Sequence, residues 1–184
     1  EIAIDSQKAS EMVMAFANLM RYSIYYGSTI VPLQTDVEYI NDYLLLQKMR
    51  YNRRLNYHID IPEELMDLRI PKLLLQPVVE NSLVHGMKDK HSVSVTITAR
   101  MEDSTLVLCV EDNGSGISRE KLTELREALE QEDIYREHIG LYNSHRVVRL
   151  LYGPSYGLTI ESSPGNGTRV SVTLPADMEE DTYV

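Results

Sequence analysis

Asp112, Gly114 and Gly116 alternate along residues 110–118, VEDNGSGIS, directly after the apolar run Leu106-Val107-Leu108-Cys109-Val110. A carboxylate accepts a hydrogen bond from an amine, and backbone without Cβ atoms lets a flat ring approach, so the pattern suits a pocket floor. The same residues are good turn chemistry, and a plain loop leaving a strand is the competing reading. Glu80, Asn81, His85 and Lys88 form a second group that could serve a metal and phosphates; the alternative is the solvated side of a helix. In Gly140-Leu141-Tyr142-Asn143 a glycine opens a helix, where backbone N–H groups can meet an anion or the glycine merely gives a tight turn. Gly167-Thr168 begins a late strand.

The elements that must hold these groups follow from periodicity. Residues 5–26 are predicted to form a helix, with Met12, Phe16, Leu19 and Ser23 on one stripe and Val13, Ala17, Met20 and Ile24 beside it. So wide a stripe suits burial in a bundle or dimer. Thr35 and Glu38 make a capping box for a second helix ending near Asn52, with Val37, Ile40, Leu44 and Gln47 in period. Tyr22, Tyr25, Tyr26, Tyr39, Tyr43 and Tyr51 read as packing residues with wet hydroxyls. Residues 55–61 read as a strand closed by Pro62. Pro71 is placed at the first turn of a third helix reaching Gly86, with Leu74, Leu75, Val78, Val79 and Leu83 toward the core. On it Asn81, His85 and Lys88 share a face.

Residues 92–100 alternate strictly, as a half-buried strand does, and 105–111 return as a strand that delivers Asp112 to the sheet edge and, being apolar on both faces, is expected to be central. Ser118 caps a short helix with Leu122, Leu125 and Leu129. Residues 127–138 are charged and read as a mobile cover. A helix with Val147, Val148 and Leu151 follows, then a hairpin of 156–162 and 168–174 turned at 163–167, and a frayed acidic tail.

Composition narrows the functional class. With 43% hydrophobic and 25% charged residues among 184, the chain reads as soluble and globular. A net charge of -10 argues against a nucleic-acid surface and an anionic membrane surface. The single cysteine, Cys109, cannot close an internal disulfide and fits a reducing compartment. There is no run of the ~20 apolar residues a spanning helix needs, and no signal peptide. The chain opens on Glu1 in helical sequence, and is expected to be a piece of a longer protein.

Taken in order, the helix with Asn81 and His85, the strand end with Asp112-x-Gly114-x-Gly116, the helix start at Gly140 and the strand start at Gly167-Thr168 resemble the ATP-binding domain shared by gyrase, the heat-shock-90 chaperones, histidine kinases and mismatch-repair ATPases. Residues 70–86, IPKLLLQPVVENSLVHG, are similar to the asparagine box of one sensor histidine kinase family, bacterial receptors whose helical segment carries an Asn-Pro-His-Phe acceptor motif upstream. The resemblance continues through residues 16–23 (FANLMRYS), 43–50 (YLLLQKMR) and 140–143 (GLYN), and covers nearly the whole chain.

It implies an α+β fold: a two-layer α/β sandwich of Bergerat type, a mixed sheet with helices on one face, preceded by a helical hairpin from a dimerisation domain. The implied division is 1–54, a partial dimerisation and phosphoacceptor segment; 55–177, the ATP-binding domain; and 178–184, an acidic tail. By the resemblance, Asp112 accepts from the exocyclic amine of adenine, Thr168 supports that edge, and Gly114 and Gly116 admit the base. Asn81 holds Mg²⁺, Glu80 and Asn81 are the catalytic pair, and His85 and Lys88 face phosphate oxygens. Gly140 and Leu141 offer N–H groups, with Tyr142 and Asn143 beside them, and residues 117–139, from Ile117, are the lid. The implied partners are ATP, a response-regulator receiver domain and a second copy in a membrane-bound, dimeric parent with this part cytoplasmic; nucleic acid is excluded.

Two positions depart from the family. Val84 stands where relatives commonly carry Lys, with Lys88 as the replacement candidate, and Val147 stands where they often carry Arg, flanked by Arg146 and Arg149. None of His58, His85, His91, His138 and His145 has the acceptor's context. Other readings are an ATP-hydrolysing conformational clamp of the gyrase or chaperone kind and a nucleotide-free interaction module. The clamp needs a carboxylate four residues before the asparagine, where this chain has Pro77.

Overall fold

The computed structural model describes residues 6–25, 28–87, 91–130 and 139–176. Helix α1 (Ser6–Tyr25) and helix α2 (Leu33–Tyr51) pack side by side as a hairpin, with strand β1 (Ile30–Pro32) between them. Strand β2 (Leu55–Asp60), strand β3 (Arg69–Pro71) and helix α3 (Gln76–Gly86) follow. Then come β4 (Val93–Glu102), β5 (Thr105–Asp112), α4 (Arg119–Glu130), α5 (Ile139–Tyr152), β6 (Gly157–Ser162) and β7 (Thr168–Pro175). Five strands form one mixed sheet in the order β2-β4-β5-β7-β6, with β2 parallel to β4 and the other pairs antiparallel. The helices α3, α4 and α5 cover one face, which makes the expected two-layer sandwich.

The alternation along β4 puts Val93, Val95, Ile97 and Ala99 inside, as its period of two requires. β5 is buried on both faces from Leu106 to Val110 because β4 and β7 flank it. Asp112 therefore ends a central strand, as the two apolar faces predict. The hairpin shares the main core: Leu33, Ile40 and Leu44 of α2 pack in one apolar cluster with Leu55, Ile70 and Leu75.

Four local expectations are corrected. Pro71 ends β3 opposite Ile30, and α3 starts only at Gln76, with Pro77 in its first turn. The intervening N–H groups are committed elsewhere: Lys72 donates to the Thr29 carbonyl at 2.9 Å, and Leu73 and Leu75 donate to the Asp36 carboxylate at 2.8 and 3.1 Å. The Thr35–Glu38 box does not cap α2, which begins after Pro32 without a side-chain cap. Its first N–H groups are satisfied by backbone instead, Leu33 to Leu68 at 2.8 Å and Gln34 to Met66 at 2.9 Å. In this single chain the apolar stripe of α1, expected to be buried in a bundle or dimer, is mostly exposed, Phe16 at 59% and Val13 at 67%, which leaves the dimer alternative standing, and Ala15 and Tyr22 turn inward. The hydroxyls of Tyr22 and Tyr39 are bonded rather than wet, to Asp36 and Gln76. The start of the charged cover, residues 127–130, is the last turn of α4, with Leu129 buried. Its remainder, 131–138, the side chain of Tyr25, Tyr26 and the acidic tail lie outside the described residues.

Candidate functional site

The end of β5 places Asp112 opposite Val95 on one side and Thr168 on the other. Its carboxylate is 4% exposed, and Oδ1 accepts hydrogen bonds from the N–H of Gly114 at 2.8 Å and of Thr168 at 3.3 Å. A buried carboxylate is costly unless donors meet it, and here the backbone supplies them. The glycine at 114 is sterically required. A Cβ there would run into Gly86 Cα and stand 2.6 Å from Asp112 Oδ1. Gly116 takes φ +70° in the turn that follows.

Three further residues build this floor, Asn113 and Ser115 from within the glycine motif and Ser162 from β6. The Ser162 hydroxyl donates to the Gly167 carbonyl at 2.6 Å, accepts from Ile117 N–H at 2.9 Å and lies 3.1 Å from Thr168 Oγ1. Asn113 extends the β4–β5 ladder past Asp112, its Oδ1 accepting from Ser94 N–H at 2.8 Å. The Ser115 hydroxyl donates to the His85 carbonyl at 3.3 Å, which ties the glycine turn to the end of α3.

The second half of the site lies on the other side of that tie. A cavity of about 180 Å³ is lined by Pro77, Glu80, Asn81, Val84 and His85 of α3 and by Ile139, Gly140 and Leu141 at the start of α5. The two helices approach closely because residue 140 has no side chain: a Cβ would stand 2.9 Å from Pro77 Cβ. The first turn of α5 opens on this cavity with N–H groups that have no partner within the helix. Asn81 is half-buried and His85 exposed.

The expected residues therefore fall into two adjoining clusters. Asp112, Gly114, Gly116, Ile117 and Thr168 share the floor, and Glu80, Asn81, His85, Gly140 and Leu141 share the cavity. The side chains of Leu141 and Tyr142 are buried in the core, and Asn143 is exposed. Lys88 lies outside the described residues. Val84 is 65% exposed beside the cavity and brings no charge to it. The Arg149 guanidinium bonds Glu130 at 3.0 Å and so ties α5 to α4.

The donor set bears on a metal. Among the described residues no three His, Cys, Asp or Glu side chains gather at one point. The cavity brings the Asn81 amide beside the Glu80 carboxylate and the His85 ring. That suits Mg²⁺ carried on phosphates, an ion that keeps its waters and takes one or two protein oxygens.

Comparison with known proteins is consistent with this geometry. Residues 66–178 match the family described as histidine kinase-, DNA gyrase B-, and HSP90-like ATPase, and residues 1–55 match the histidine kinase family. The sensor protein kinase HptS of Staphylococcus aureus is 30% identical over 174 residues, which is 95% of this chain and 33% of that protein. The chain thus spans about a third of the length of the curated relatives it matches. The histidine kinase domain of the Erythrobacter litoralis blue-light activated histidine kinase superposes with a TM-score of 0.58 at 17% identity, over 92% of this chain and 80% of that one. The catalytic domain of histidine kinase ThkA gives 0.62 at 16% identity, over 82% of this chain and 98% of that one. At such identities these structures share the fold.

Proposed function

Because the chain belongs to the histidine kinase family, with a gyrase- and HSP90-like ATPase domain over most of its length, we propose that it binds Mg-ATP across the two clusters and passes the γ-phosphoryl group to a histidine imidazole outside the described residues. The observation that carries this reading is the Asp112 carboxylate, buried at a strand end and oriented by backbone N–H groups beside a glycine-lined floor. A carboxylate so held is an acceptor aimed at the exocyclic amine of adenine. Thr168 supports the same edge, and the absent side chains of Gly114 and Gly116 leave room for the ring.

The phosphates then lie toward α3 and α5. The first-turn N–H groups of α5 and the His85 ring face their oxygens, and Asn81 holds the Mg²⁺ that arrives with the nucleotide and neutralises charge. In the transfer, an imidazole nitrogen bonds to the γ-phosphorus as the bond to the β–γ bridging oxygen breaks. ADP leaves with that electron pair, and the imidazole N–H proton passes to the Glu80 carboxylate. Positioning and charge neutralisation supply most of the catalysis in such a reaction, with general-base help from Glu80. A response-regulator aspartate is the proposed onward acceptor, and the parent is proposed to be a membrane-bound dimer. The division at residue 54 and the tail from 178 are kept as proposed.

Pro77 speaks against a clamp that hydrolyses ATP with water. It stands where such a clamp needs a base, and its ring packs on Gly140.

Titration calorimetry with ADP and Mg²⁺ tests the assignment. Asp112→Ala is expected to weaken binding by about 10–100-fold, the equivalent of a lost charged hydrogen bond of ~1.5–3 kcal/mol. Equal affinity in wild type and variant would remove Asp112 from the adenine edge.

A further inference from the structure

Glu80 is held by Gln76. Gln76 precedes it by one helical turn, and its Nε2 donates to Glu80 Oε1 at 2.7 Å. At the other end of the same amide, Gln76 Oε1 accepts from the Tyr39 hydroxyl at 2.8 Å. The direction of this relay is fixed by chemistry. An ionised carboxylate only accepts, so the amide must present nitrogen to Glu80 and keep its oxygen for Tyr39. Burial pushes the hydroxyl of Tyr39 up from its ordinary value, and the nearby Glu80 charge adds to that, so Tyr39 stays a protonated donor.

Tyr39 belongs to α2, and it is not free to turn. It is 8% exposed, and its ring lies 4.9 Å from that of Tyr22 of α1. A polar path therefore runs from Tyr39 of α2, whose ring is braced by α1, through Gln76 to the carboxylate that lines the cavity.

We propose that Gln76 is a positioning residue for Glu80, and that Tyr39 sets the orientation of Gln76. The seating of the α1–α2 hairpin on α3 thereby decides whether the Glu80 carboxylate is aimed at an incoming nucleophile. If α2 shifts so that the Tyr39 bond is lost, the amide can rotate and its hold on Glu80 loosens. The cleft then keeps its nucleotide contacts, because Asp112, Asn81 and the start of α5 make no use of this relay. The hairpin would thus gate transfer without gating nucleotide binding. The inference rests on the reading of Glu80 as the proton acceptor.

The test uses the longer protein that carries the acceptor histidine and two readouts: the rate of histidine phosphorylation from γ-labelled ATP, and ADP affinity by calorimetry. Glu80→Gln is expected to slow transfer by about 10²–10⁴-fold, Gln76→Leu by about tenfold and Tyr39→Phe by about threefold. ADP affinity should stay within about twofold in all three. The double variant Tyr39→Phe/Gln76→Leu should be no slower than Gln76→Leu alone, since both act on one path. A merely structural relay would instead leave the single-variant rates at the wild-type value. If Gln76→Leu and Tyr39→Phe transfer normally while Glu80→Gln is slow, the positioning role is wrong and the function stands. If Glu80→Gln transfers normally, the proton-acceptor reading falls and this inference with it. Should Gln76→Leu fail to fold, the rate of Tyr39→Phe decides the matter alone.

Discussion

Asp112 and Gly114 depend on each other. The Gly114 N–H holds the carboxylate at 2.8 Å, and only a residue without Cβ can sit there, against Gly86. Gly114→Ala is therefore expected to cost about 1–3 kcal/mol through overpacking and to weaken ADP binding, because the displaced N–H no longer aims the carboxylate. Urea unfolding and calorimetry on one preparation check both, and a variant with unchanged midpoint and affinity would contradict the account. Asp112, Gly114, Gly116, Gly140 and Thr168 were legible as types at fixed spacing. Ser162 was not. A serine at a strand end carries no signal, and its role comes from the β6–β7 register, which sets it across from Thr168. Gln76 carried no signal and Tyr39 read only as a packing residue, because the two partners lie thirty-seven positions apart in the chain.

At the scale of elements, the periodic segments were readable, and the places where helices begin were not. The alternation in β4 and the two-faced apolarity of β5 are local, and both persist in the fold. The start of α3 is decided from a distance by Asp36 of α2. Its carboxylate accepts from Leu73 and Leu75 N–H and from the Tyr22 hydroxyl at 2.9 Å, and Leu73 is held at φ +61°. Local rules cannot see such a partner, so the sequence places Pro71 in the first turn of α3, where Pro77 stands in the fold.

Burial pushes the Asp36 carboxyl up from 3.8, against the opposing pull of the Leu75 N–H, the Tyr22 hydroxyl and the Leu73 N–H. A carboxyl raised in the folded state binds protons more readily there than in the unfolded chain. Its contribution to stability is thus full below 3.8 and lost as pH rises through the folded value. Asp36→Asn lacks that slope, so wild type should gain stability relative to the variant as pH falls from neutral toward 3.8. Near neutral pH, Asp36→Ala should lose about 2–4 kcal/mol, since it leaves buried N–H groups without acceptors. Denaturant titrations across that range decide; a pH-independent difference between wild type and Asp36→Asn would show that Asp36 does not titrate in this window.

For the whole molecule, the two clusters and the hairpin form one connected body. The hairpin shares the core of the sheet domain through Leu33, Ile40 and Leu44, meets the segment before α3 through Asp36 and reaches α3 itself through the Tyr39 bond to Gln76. Among the described residues no helix is long and apolar enough to cross a membrane. The exposed apolar side of α1 and the inner side of α2 give the hairpin two different surfaces, one turned outward and one packed on the core of the sheet domain. The central claim remains that this cleft reads adenine through one buried carboxylate. Competition binding of ADP and GDP, each with Mg²⁺, tests it most directly on wild type and Asp112→Asn. Adenine presents an amine to Asp112 where guanine presents a carbonyl oxygen, so the account predicts that wild type prefers ADP by at least about tenfold and that the variant loses most of that preference. A wild-type protein that binds ADP and GDP equally well, or a variant that keeps the full preference, would contradict it.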